Sequence, residues 1–193
     1  MRIVPVLLDT VHMGVRDDLV RAGGELLERD GLAALTLRRI ARQAGVSHGA
    51  PRHHFPTYAD LLAAIARTGI DDLDTELAPL REEADPREAL RAAFRRVVDF
   101  AARRPEMFEL ISRHDLLAGA GGDLRPTTGG WLDSLSCRLR ELRPDAGPAH
   151  ALALWSGVQG LAVMMSRRGA DAVSSEAVDP HAVIDVLVAE LAG

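Results

Sequence analysis

Hydrophobic positions recur at helical spacing along almost the whole chain. Leu19, Ala22, Gly23, Leu26 and Leu27 follow i, i+3, i+4, i+7, i+8, one face of a helix from about Gly14 to Arg29 that stops near Gly31. Thr36 then caps "LRRIARQA", and Gly45 ends that segment as a residue suited to the left-handed turn after a helix. Ser47 is positioned to cap a short third helix, closed by Pro56 and Thr57. A fourth, long helix starts there. Leu61, Leu62, Ile65, Leu73, Leu77 and Leu80 form its stripe, which lasts to about Pro79.

The second half repeats the grammar. Asp85 caps and Pro86 opens a helix whose buried face is Leu90, Phe94, Val97 and Ala101. Pro105 breaks it, and "PEMFELISR" begins a short helix. "LAGAGGDLRPTTGG", 117 to 130, reads as a Gly-rich loop. "WLDSLSCRLREL" is a helix stopped by Pro144. Pro148 to about Arg167 is an uncharged helix, "RRGADAVSSEAV" a loop, and Asp179-Pro180 the start of a last helix. No strand alternates over a useful length. The expected fold is all-α, with about nine helices in two parts, 13–73 and 80–193.

Composition excludes several classes. The chain has 193 residues, 47% apolar, enough for a core without staples. A single cysteine rules out an intrachain disulfide framework and fits a reducing compartment; Cys137 reads as a small core residue. "MRIVPVLLDT" is too short and too broken for a signal segment. Residues 146–166 carry no charge. Gly147, Pro148, His150, Ser156, Gly157, Gln159 and Gly160 nevertheless dilute the stretch too much for a lone membrane span. It reads as a helix buried on all sides in a soluble, cytoplasmic protein.

Charge then singles out one segment. The net charge is −5, yet Thr36 to Tyr58 holds four arginines, Arg38, Arg39, Arg42 and Arg52, and no acid. Three of the seven histidines, His48, His53 and His54, lie there too. Helix, Gly-containing turn and short helix is the helix-turn-helix arrangement. A positive patch on an acidic protein is the footprint of a polyanion. Gly49 and Ala50 keep the start of the third helix small enough to enter a major groove. His48, Arg52 and His53 can donate to phosphates or base edges. A solvated helix face is the plainer reading, but such faces mix both signs, as the rest of this chain does.

"LVRAGGELLERDGLAALTLRRIARQAGVSHGAPRHHFPTYADLL" resembles the N-terminal domain of the tetracycline-repressor (TetR/AcrR) family of bacterial transcription regulators. The matching marks are Gly31, Leu35-Thr36, Ile40-Ala41, Ala44 to Ser47, Gly49-Ala50, His54-Phe55 and Leu61-Leu62. The resemblance implies a homodimer that binds near-palindromic double-stranded operator DNA, most often as a repressor, and is released by a small-molecule effector. The candidate DNA face is Thr36, Arg38, Arg39, Ser47, His48, Gly49, Ala50, Arg52, His53, His54 and Tyr58. The family usually has Tyr where this chain has Arg52 and Lys where it has Tyr58, both serving the DNA backbone. "LWSGVQGL" looks like the Trp-x-x-x-His-Gly signature of one C-terminal subgroup, with Gln159 in place of His.

The regulatory half is less marked. The uncharged helix and the last helix, with Val183, Ile184, Leu187, Val188 and Leu191, have little polar surface. Two such helices from each subunit would make a four-helix interface. Ser156, Gly157 and Gly160 would allow close approach there, with Leu187 and Leu191 opposite; burial inside a monomer is the other reading. Candidate cavity-lining residues are Phe94, Met107, Phe108, Trp131, Trp155 and Met164, with ordinary core the plainer reading of each. Arg113 and His114 could recognise an anion. No phosphate loop, nucleophile elbow or metal spacing occurs, so no enzyme, cofactor or metal is expected. His53 and His54 are adjacent and point about 100° apart on a helix. A helical sensor or interaction protein without specific DNA binding stays open, on the changes at 52 and 58.

Overall fold

Caps set the boundaries of the helices. The computed structural model describes residues 14–113, 125–167 and 177–192. α1, Val15–Asp30, ends at Gly31, whose φ of 79° only glycine takes readily. A 3₁₀ turn, Leu32–Ala34, leads to α2, Leu37–Gln43. Thr36 Oγ1 accepts the Arg39 N–H at 3.3 Å, so Thr36 is the cap. Beyond α2, Gly45 takes φ 70°, while Val46 N–H donates to Ala41 O and Gly45 N–H to Arg42 O. This is a Schellman ending. α3, Ala50–His54, and α4, Tyr58–Glu76, follow; Thr57 and Asp60 form a reciprocal capping box at the start of α4.

α5 is a single turn, Pro79–Glu82, and α6 runs Pro86–Arg103. The Asp85 carboxylate caps α6 by accepting the N–H groups of Glu88 and Arg87, which hold it below the usual carboxylate range. α7 is Pro105–Ser112, α8 Arg125–Leu142, α9 Pro148–Ser166 and α10 Pro180–Ala192. The described residues are all-α, with nine helices of five residues or more and one four-residue turn.

Four expectations need correction. Ser47 does not cap α3: the N-cap is Gly49, no side chain caps it, and Ser47 contributes only its carbonyl, to Ala50 N–H. α4 stops at Glu76 rather than near Pro79, because Leu77 turns the chain before Pro79 restarts it. The segment expected as a loop to residue 130 is already helical at Arg125; packing overrides two glycines of low helix propensity. Cys137 is exposed, because the buried stripe of α8 is Trp131, Leu135 and Leu139, and position 137 points away from it. The N-terminal ten residues, His114, residues 117–124 and most of the expected loop 167–178 lie outside the described residues.

Buried side chains form one continuous cluster from Leu19 to Ala192. α6 lies at its centre, where Leu90, Ala93 and Phe94 are fully buried against α8, α9 and α10. At the other end α1 and α4 pack on α7. Arg104, between α6 and α7, bonds Glu28 of α1 at 2.8 Å and pairs with Asp72 of α4. α9 buries only Ala151, Leu154, Val158 and Ala162, so it is not buried on all sides. Leu152 on α9 is 56% exposed and Val186 on α10 is 60% exposed. No described helix is long and apolar enough to cross a membrane.

Candidate nucleic-acid interface and apolar cavity

α2, the Gly45 turn and α3 form a helix-turn-helix seated on α1. Pro51 and Phe55 anchor α3: both are buried, and the Arg16 guanidinium lies 5.0 Å over the Phe55 ring. With those two turned inward, Arg52, His53 and His54 are left exposed, as are Ser47, His48 and Gly49. A Cβ at Gly49 would meet nothing within 4 Å, so the start of α3 is open to a large partner. Arg38 and Arg42 are exposed on α2. Among the described residues Arg38, Arg42 and Arg52 have no carboxylate partner, whereas most arginines elsewhere do.

Two candidate DNA contacts are engaged inside the protein. Arg39 pairs with Asp30 and donates to Ala34 O at 3.3 Å, tying α2 to the end of α1. Arg29 foremost, and Arg39 after it, hold the Asp30 carboxyl below its usual range. Tyr58 donates its hydroxyl proton to Leu35 O at 2.8 Å. Half-burial raises its pKa and keeps the phenol neutral. A phenol has one proton to donate, so in this arrangement Tyr58 is not a free donor for phosphate. It pins the chain ahead of α2 onto the start of α4.

The second feature is a cavity of about 430 Å³ in the other half. Ile70 and Leu73 of α4 form one wall, and Phe108 and Ile111 of α7 another. α8 and α9 bring Trp131 and Trp155 together, with ring centroids 6.0 Å apart. Of the expected lining residues, Phe108, Trp131 and Trp155 are there. Phe94 and Met107 do not line it: Phe94 is core, and Met107 is packed under Gly69. Met164, half-buried farther along α9, does not line it either. Ser156, expected at a subunit interface, lines this cavity instead. Gly157 serves an internal approach: a Cβ there would lie 3.2 Å from Leu187 of α10. Gly160 faces open space, which keeps it available to a partner.

Residues 19–65 match the family model of bacterial regulatory proteins of the tetR family. The N-terminal helices are a TetR-family unit. The nucleoid occlusion factor SlmA of Vibrio campbellii is 28% identical over 104 residues, 53% of each chain. The HTH-type transcriptional regulator BetI of Stenotrophomonas maltophilia is 37% identical over 79 residues, 40% of each chain. The chain thus spans about half the length or less of these relatives. Over nearly the whole chain, a solved transcriptional regulator from Rhodococcus is similar with a TM-score of 0.70. It shares 26% identity, covering 91% of this chain and 95% of that one.

Within this TetR-family unit the departure at Arg52 leaves an exposed cation, and that at Tyr58 an internal clamp. The resemblance of Trp155-x-x-x-Gln159-Gly160 to the Trp-His-Gly subgroup lies beyond the matched residues. Sequence reasoning passed over Arg42 as a site residue, although the charge count included it. It also passed over Ile70 and Leu73, whose stripe reads as core because the cavity lies on the same face of α4 as the core. Arg104 was missed entirely, since its partners are 32 and 76 residues away.

Proposed function

We propose that the protein is a ligand-responsive transcriptional regulator, most naturally a repressor. It binds near-palindromic operator DNA as a homodimer in the cytoplasm and is released by a small molecule. The observation that carries this reading is the exposed face of α2 and α3. Three guanidiniums without a carboxylate partner among the described residues, Arg38, Arg42 and Arg52, stand there on a chain of net charge −5. Arginines without internal partners are free to neutralise phosphates and release counterions. Residues 13–73 are the DNA-binding part and 80–193 the ligand-binding and dimerising part. The bare positions Gly160 on α9 and Val186 on α10 support the dimer. No catalytic activity or cofactor is assigned.

Selection of bound duplexes from random DNA tests the reading. Enrichment of one near-palindromic sequence, bound by two chains per duplex, is expected. Uniform weak binding with no enriched sequence would favour a helical sensor without specific DNA binding.

A further inference from the structure

We infer that the cavity beside α4 takes an uncharged aromatic molecule of one or two rings that carries a neutral hydrogen-bonding group. This rests on the reading above in taking that cavity as the effector site.

Charge is the first constraint. No Asp, Glu, Arg or His lines the cavity among the described residues. The neighbouring carboxylate, Asp74, is engaged behind the wall: it accepts the Trp131 Nε1–H at 2.7 Å and pairs with Arg81 at 3.1 Å. Among the described lining residues a carboxylate ligand meets no cation, and an ammonium ligand no anion. A charge moved from water to an apolar site without a partner is strongly disfavoured.

Shape is the second constraint. Trp131 and Trp155 meet at an interplanar angle of 45° with centroids 6.0 Å apart. Phe108 is held edge-on by Phe100 at 6.5 Å. Because Asp74 holds the indole N–H, the polar edge of Trp131 is turned toward α4, leaving the ring to pack. Aromatic rings pair favourably at centroid distances of about 4.5–7 Å, so such walls select another flat ring over a saturated one. A volume of about 430 Å³ has room for one or two rings with their substituents.

Polarity is the third constraint. Ser156 and Gln159 lie on one face of α9 and both line the cavity. Neither side chain has a hydrogen-bond partner among the described residues. An amide both donates and accepts, so a ligand carbonyl or hydroxyl can be satisfied there.

The chain has two tryptophans and both line the cavity, so their emission reports the site without a label. Coumarin, octahydrocoumarin and coumarin-3-carboxylate are titrated by calorimetry and tryptophan fluorescence. Coumarin is expected to bind about tenfold or more tightly than its carboxylate, and to alter the emission. The saturated analogue should bind more weakly than coumarin. Gln159→Arg supplies a cation at the wall and should reverse the order of coumarin and its carboxylate. Equal binding of the carboxylate to the wild type would overturn the inference. So would equal binding of the saturated analogue, or no heat and no emission change with coumarin. Operator affinity is measured in parallel. If coumarin fills the cavity as expected but leaves operator affinity unchanged, the ligand class stands and the effector reading fails.

Discussion

Tyr58 is the chain's single tyrosine, and its bond to Leu35 O closes the helix-turn-helix against α4. Tyr58→Phe should cost about 0.5–1.5 kcal/mol of stability, measured by urea unfolding, because a half-buried carbonyl loses its donor. Burial raises the folded pKa of the phenol above its unfolded value of about 10. The stabilisation from keeping it neutral is complete below that value and disappears as pH rises through the folded pKa. Phenolate absorbance reads this residue alone, since no other tyrosine is present. It should appear above pH 10 in the folded protein and return to the ordinary value in denaturant. Titration at the ordinary value in the folded state would mean that the clamp is open. Arg52 is the contrasting case, exposed and unpaired. Its substitution is expected to alter DNA binding while stability stays within about 0.5 kcal/mol of wild type.

Elements were legible where local chemistry defines them. Thr36 and Gly45 mark both ends of α2 because a cap hydroxyl and a positive φ act within a few residues. Thr57→Ala should therefore cost about 1 kcal/mol by removing the capping box of α4, read as a fall in the unfolding midpoint. Elements set by packing were harder to read. Gly129 and Gly130 argue for a loop, yet both lie within α8. α9 has hardly any polar residue to mark its outside, so its buried and bare faces look alike in sequence. Gly69 shows the same blindness: a Cβ there would sit 2.5 Å from Met107, so α4 and α7 touch where the sequence shows only a glycine. Gly69→Ala should destabilise by about 1–3 kcal/mol through overpacking, outweighing a helix-propensity gain of about 1. An unchanged or raised midpoint would show that Met107 moves aside freely.

At the scale of the whole molecule, α4 belongs to both functions. It begins beside the helix-turn-helix and carries Ile70 and Leu73 into the cavity wall. Arg104 ties the same region to α1 and α4 through Glu28 and Asp72. A ligand that prefers one setting of α4 must weaken DNA binding by the factor by which DNA weakens ligand binding. Arg104→Ala should leave both sites intact but reduce that factor, read as a smaller change in operator affinity at saturating ligand. An unchanged factor would remove Arg104 from the coupling. The dimer is checked by Gly160→Arg, which should turn dimers to monomers in light scattering; a monomeric wild type at micromolar concentration would contradict the interface.

The most direct test of the account is the salt dependence of operator affinity, by fluorescence anisotropy, for wild type and Arg52→Ala. Log affinity of the wild type should fall steeply with log salt. Arg52→Ala should weaken all sequences nearly alike and flatten the slope by about 1 per chain, the loss of one phosphate contact. An Arg52→Ala protein with the affinity and slope of the wild type would contradict the placement of α3 on DNA.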